Sequence, residues 1–92
     1  QYMVHRFNTW CSWIVTEVLN RPTTTERGAV IEFFIDVCAE CDKNHNFNTA
    51  YAILGALNHS SVSRLKYTWQ NVSKRGMKIY NKVLAFWSTS NN

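Results

Sequence analysis

One stretch constrains this chain more than any other. Ile31, Phe33, Phe34, Ile35 and Val37 follow one another almost without polar relief. They sit in a longer segment where Val30, Ile31, Phe34, Ile35, Cys38 and Cys41 recur at helical spacing. A helix that is apolar nearly all round needs neighbours on several sides. A chain of 92 residues has room for about five helices, too few to supply all those neighbours. The expectation is an all-α chain of about five helices that forms part of a larger helical domain.

The remaining segments are helical too. Cys11, Ile14, Val15 and Val18, preceded by Val4 and Phe7, form one apolar face. That first helix should end near Asn20, because Pro22 disfavours helix in Arg21. Thr23 and Glu26 fit a capping box that opens the second helix, which runs to about Lys43. Asn44-His45-Asn46 breaks it, the asparagines ending one helix and capping the next through side-chain bonds. A third, shorter helix carries Ala50, Ile53, Leu54 and Leu57 inward. Residues 58–61 form a turn, and residues 62–69 a short helix. A last helix after Ser73 buries Met77, Tyr80, Leu84 and Trp87 before a frayed end. The first residues already read as mid-helix, so the chain is taken as cut from a longer protein.

Composition removes several classes. A hydrophobic content of 46% and four tryptophans exclude disorder. No apolar run reaches the length of a membrane span, and the first five residues are not a signal peptide. Three cysteines, an odd number with no secretory signal, suggest reduced thiols and a cytoplasmic setting. The two N-x-S sequons, at Asn58 and Asn71, then carry no meaning. The net charge is +4, but Arg64, Lys66, Lys74, Arg75, Lys78 and Lys82 are spread among aromatic residues. They read as a solvated surface with at most a weak attraction to acidic lipid.

No enzyme chemistry is visible. The sequence has no P-loop, no G-x-S-x-G and no paired-carboxylate signature. Cys38-Ala-Glu-Cys41 has neither a redox context nor further zinc ligands, and three residues apart on a helix the thiols act as small hydrophobes. The segment starting at Asp42 imitates a calcium loop. It fails at Phe47, where a glycine is needed, and at Ile53, where a bidentate Glu is needed. Arg64 beside Trp69 could stack on bases, but a structural role for both is the stronger reading, and no nucleic-acid partner is expected.

Two motifs carry a family resemblance. Arg6-Phe7-Asn8, followed by Trp13-Ile14-Val15 and Glu17-Val18-Leu19, is one. The other is the run over residues 45–69, an Asn-rich turn, a small-residue helix, Asn58, and the Arg64-Leu65-x-x-Thr68-Trp69 cluster. In this order and at this distance they resemble the catalytic domain of Ras-family guanine-nucleotide exchange factors. The resemblance covers only part of that domain.

The resemblance implies an exchange factor for a Ras-family GTPase (Ras, Rap or Ral), a regulator that makes and breaks no covalent bond and needs no cofactor. It implies that one surface grips switch 2, while a later helical hairpin, C-terminal to Asn92, displaces switch 1. It assigns Asn58 to the GTPase-gripping surface. Tyr51 and Gly55 join it by helical spacing, and Val4 and Arg6 come from the first helix. Arg64, Leu65, Thr68 and Trp69 become structural, with Arg64 tying neighbouring segments and Trp69 buried. It also implies a cytoplasmic protein recruited to the membrane peripherally, through the GTPase or through other domains. The competing expectation is a catalytically degenerate scaffold or protein-interaction module of the same fold.

Overall fold

A computed structural model describes the backbone of residues 2–90 and the side chains of residues 10–86. The described residues form six helices: α1 (Tyr2–Leu19), α2 (Thr24–Lys43), α3 (Phe47–Leu57), α4 (Ser60–Ser63), α5 (Lys66–Gln70) and α6 (Lys74–Ser90). No strand occurs among them. The fold is all-α, as the periodicity predicts.

Helix α3 is the centre of the packing, lying against both α1 and α2. Ala50, Ala52, Ile53, Leu54, Ala56 and Leu57 are all buried. All of these but Ala52 meet Ile14 and Val18 of α1 and Ile31, Phe34, Ile35 and Cys38 of α2 in one apolar core. Burial of such side chains stabilises by roughly 1.5–3 kcal/mol each relative to exposure. Helices α5 and α6 pack on another part of α2. There the Trp69 and Tyr80 rings meet at a tilt of 37° with centroids 5.1 Å apart, and Val72, Tyr80 and Val83 extend the core.

The ends of the helices follow from local chemistry. Thr23 caps α2, accepting a hydrogen bond from the Glu26 backbone N–H at 3.1 Å. Arg27 reaches back to the end of α1, donating to the carbonyls of Arg21 (2.8 Å) and Leu19 (3.2 Å). A cation there satisfies free carbonyls and suits the negative end of the helix dipole. Helix α2 ends in a Schellman motif. The N–H of His45 bonds to Asp42 O and that of Asn46 to Cys41 O, with His45 held at φ 63°.

Three expectations change. Asn44 does close α2 with its side chain, donating to Glu40 O at 2.9 Å, but Asn46 caps α3 without a side-chain hydrogen bond. The short helix expected over residues 62–69 is two helices, because Leu65 leaves helical geometry (φ −81°, ψ 72°) and separates α4 from α5. The indole N–H of Trp69 spans that break to Val62 O at 3.0 Å. Met77 and Leu84 of α6 are only half-buried, and Trp87 lies outside the described side chains.

The apolar surplus of α2 is visible in the structure. Phe34 is buried, but Phe33 beside it is 61% exposed. Trp10, Trp13, Phe34 and Phe33 form a chain of edge-to-face contacts with successive centroids 5.9, 5.8 and 5.4 Å apart. Trp10 and Trp13 are about half exposed as well.

Candidate functional site

Helix α3 meets solvent along one line. After Phe47 at its first turn, the exposed positions are Asn48, Tyr51 and Gly55, and Asn58 follows as the C-cap. Their spacing of three, four and three residues keeps them on one face. The rest of the helix is enclosed by α1 and α2, apart from half-buried Thr49 near its start. A rigid helix thus presents a large amphipathic ring, a glycine and an amide in fixed register.

Asn58 is held as the cap by its backbone. Its N–H donates to Leu54 O at 2.9 Å, and its φ and ψ are −88° and −2°. Its side-chain amide is exposed and has no hydrogen-bond partner among the described residues. The amide is therefore not needed to end the helix, and its donors and acceptor face outward. Tyr51 is 45% exposed. Gly55 lies between them and leaves the helix surface flat. The side chains of Val4 and Arg6, the other two expected binding residues, lie outside the described residues.

The next residues fix the far side of Asn58. His59 caps α4, its Nδ1 accepting from the Ser61 N–H at 3.1 Å. Within the cluster expected to be structural, Thr68 is fully buried, Leu65 is partly buried against the core, and Trp69 is half-buried. Arg64 differs from expectation. It is exposed, and its guanidinium makes no ion pair or hydrogen bond among the described residues, so the expected tie to neighbouring segments is not made there.

Sequence reasoning missed a second polar centre. Glu32 of α2 accepts from the Ser73 hydroxyl at 2.6 Å and from the Ser73 N–H at 2.9 Å. The Ser73 oxygen in turn accepts from Gly76 N–H at 3.0 Å, so α6 is capped jointly by Ser73 and by a carboxylate from another helix. Arg75 adds ion pairs to Asp36 (3.1 Å) and Glu32 (3.7 Å). The Ser73 hydroxyl, then its backbone N–H, then the Arg75 charge hold the Glu32 carboxyl below its ordinary value of 4.5. No single-sequence signal pairs residues 41 positions apart.

The cysteines are packing residues. Cys38 is buried with Sγ 3.6 Å from Ala50 O, and burial pushes its thiol up to about 12. Burial also raises Cys11 and Cys41. Protonated thiols are poor nucleophiles and poor metal ligands. Among the described residues, no three His, Cys, Asp or Glu side chains cluster closely enough to hold a metal. An open hollow of about 310 Å³ lies along α2, lined by Phe33, Asp36, Val37, Glu40 and Cys41 with Asn44 and Asn46. The exposed line of α3 takes no part in it. No helix among the described residues is long and apolar enough to cross a membrane.

The geometry defines an all-helical unit whose central helix offers one outward line of side chains, while its cysteines serve packing and Glu32 caps a neighbouring helix. Comparison with known proteins places it further. The sequence matches the RasGEF domain over residues 1–92. It is 41% identical over 98% of its length to Ras guanine nucleotide exchange factor D of Dictyostelium discoideum, covering 14% of that protein. It is 38% identical over 94% of its length to RAS guanyl-releasing protein 2-B of Xenopus laevis, again covering 14%. The same identity and share of this chain relate it to human Ras guanyl-releasing protein 3, of which it covers 12%. The chain belongs to the RasGEF domain family. It spans about one seventh of the length of these relatives.

Proposed function

We propose that this chain is the scaffold and part of the GTPase-gripping surface of a guanine-nucleotide exchange factor for a Ras-family GTPase. The observation that carries the reading is the exposed line of α3, where Tyr51, Gly55 and an Asn58 amide unused by the fold stand in register. The names of the relatives, exchange factors and guanyl-releasing proteins, support it. On this reading Tyr51 supplies a broad contact ring, Gly55 lets a partner's backbone approach, and Asn58 hydrogen-bonds the switch 2 segment. Val4 and Arg6 extend the surface from α1.

Exchange of this kind is a binding reaction. A protein that prefers the nucleotide-free GTPase to the nucleotide-bound one lowers the barrier to GDP release by that difference in affinity. This chain fixes the GTPase in place, and a helical hairpin beyond it displaces switch 1. The partner is Ras, Rap or Ral, and membrane recruitment comes through the GTPase or through other domains.

The test is release of a fluorescent GDP analogue from purified Ras, Rap and Ral. It compares this chain, a form extended past Asn92, and the Asn58→Ala variant of each. The extended form accelerates release, the variant slows it by about tenfold or more, as loss of a central hydrogen-bonding contact does, and the short chain is nearly inactive. Robust exchange by the short chain alone would refute the division of labour. Release from none of the GTPases would leave the degenerate scaffold as the better reading.

A further inference from the structure

Acidic and basic residues are separated along this chain. Up to Asp42 there are six acidic and three basic residues, net −3; after it there are seven basic residues and no acidic one, net +7. Four of those seven lie on α6 as Lys74, Arg75, Lys78 and Lys82. Arg75 turns to α2, where it pairs with Asp36 and Glu32. Lys74, Lys78 and Lys82 do not. They are exposed and have no ion pair or side-chain hydrogen bond among the described residues. Spaced four residues apart, they share roughly 80° of the helix circumference. What reads in the sequence as scattered charge is one stripe in the structure.

Two details separate this stripe from an ordinary solvated face. First, Lys74 stands in the first turn of α6, where the helix dipole disfavours a cation, and that turn has no acidic residue of its own. Helix stability therefore does not account for it. Second, Phe86, the next residue at the same spacing, is 56% exposed beside the lysines. The opposite face of α6, with Gly76, Tyr80 and Val83, is buried against the rest of the molecule.

We propose that the outer face of α6, Lys74, Lys78 and Lys82 with Phe86 beside them, docks on an anionic lipid surface. This goes beyond the function proposed above, in which membrane attachment comes through the GTPase or other domains. Charge complementarity selects the partner. Lysines on flexible stems are point charges that follow headgroup phosphates and carboxylates without a fixed geometry. An exposed aromatic ring at the end of a basic stripe suits the boundary between headgroups and acyl chains. A single-stranded nucleic-acid site would combine its cations with several aromatic rings for stacking, and among the described residues this face offers one.

Each lysine near an anionic surface strengthens partitioning about fivefold, so the three together supply on the order of a hundredfold. The test is sedimentation of the chain, without any GTPase, with phosphatidylcholine vesicles and with vesicles containing about 30% phosphatidylserine at about 0.1 M salt. Because no GTPase is present, the result is independent of whether the chain supports exchange. The wild type binds the anionic vesicles and not the neutral ones. The triple variant Lys74→Gln, Lys78→Gln, Lys82→Gln loses that binding. A control with the same charge change elsewhere, Arg21→Gln, Lys43→Gln, Lys66→Gln, keeps most of it. Circular dichroism verifies that both variants are helical, and the comparison of vesicles needs no variant at all. Failure of the wild type to bind anionic vesicles would overturn the proposal. So would equal loss in the control, or tighter binding to a single-stranded RNA than to the vesicles.

Discussion

Helix α3 and the corner where α2 meets α5 and α6 are held by different means. Around α3 the contacts are apolar and enclosed: Ala50, Ile53, Leu54, Ala56 and Leu57 are each 3% exposed or less. Among the described residues, thiols rest on its carbonyls, such as Cys11 Sγ on Ala52 O at 3.3 Å. At the corner, position depends on close approach and on a few directional bonds. A Cβ built on Gly28 would stand 2.7 Å from Asn71 Cβ and 3.0 Å from Thr68 O, and Glu32 holds the start of α6 through Ser73. The difference teaches which perturbation each region feels. Burial is non-directional and indifferent to protons, so α3 responds to lost volume. The corner responds to one added carbon or one added proton.

The largest effect tests α3. Leu57→Ala removes a fully buried side chain and leaves a cavity, and should cost about 3–4 kcal/mol in chemical denaturation. A loss under about 1 kcal/mol would mean the site collapses freely and the enclosure of α3 is looser than described. Next comes the corner's close approach. Gly28→Ala gains helix propensity but drives a Cβ into the Asn71 Cβ and a backbone carbonyl, for a net cost of about 2 kcal/mol. A neutral or raised melting temperature would show that α5 shifts away readily.

A third prediction uses protons to separate the regions. Glu32→Ala removes the shared cap of α6 and should cost about 1 kcal/mol near neutral pH. The Glu32 carboxyl is held below its ordinary value of 4.5, so its contribution is present above that value and is lost as pH falls through the lower folded-state value. Glu32→Gln should therefore show a shallower loss of melting temperature on acidification than the wild type. Leu57→Ala should keep the wild-type slope. Equal slopes in wild type and Glu32→Gln would remove the carboxylate from the account. The smallest effect has the opposite sign. His45 occupies a left-handed position that glycine adopts without strain, and His45→Gly should stabilise by about 0.5–1 kcal/mol.

The enclosed region was largely legible in the sequence and the corner was not. Ala50, Ile53, Leu54 and Leu57 declare themselves by helical spacing, and the Thr23 cap of α2 is written within four residues. No glycine or proline marks the break at Leu65, which the Trp69 bond to Val62 spans. Asn44 and Asn46 suggest asparagine capping, although the left-handed residue of the Schellman turn is His45 between them. Of the candidate site, the common face of Tyr51, Gly55 and Asn58 follows from spacing. That the Asn58 amide is unused by the fold does not follow, since an asparagine at a helix end reads first as a cap. The spacing of Lys74, Lys78 and Lys82 sets them on one face, but no local signal shows that Arg75 among them turns to partners on α2.

The enclosure of α3 also limits how this surface can change over generations. Most substitutions along that helix would have to pass through the packing of α1 and α2 before reaching anything outside. Drift without loss of the fold is confined largely to Asn48, Tyr51, Gly55 and Asn58, a short alphabet on a fixed line. On the function proposed above, copies of such a domain that came to prefer different partners would carry their differences there, as a handful of letters rather than a rebuilt surface.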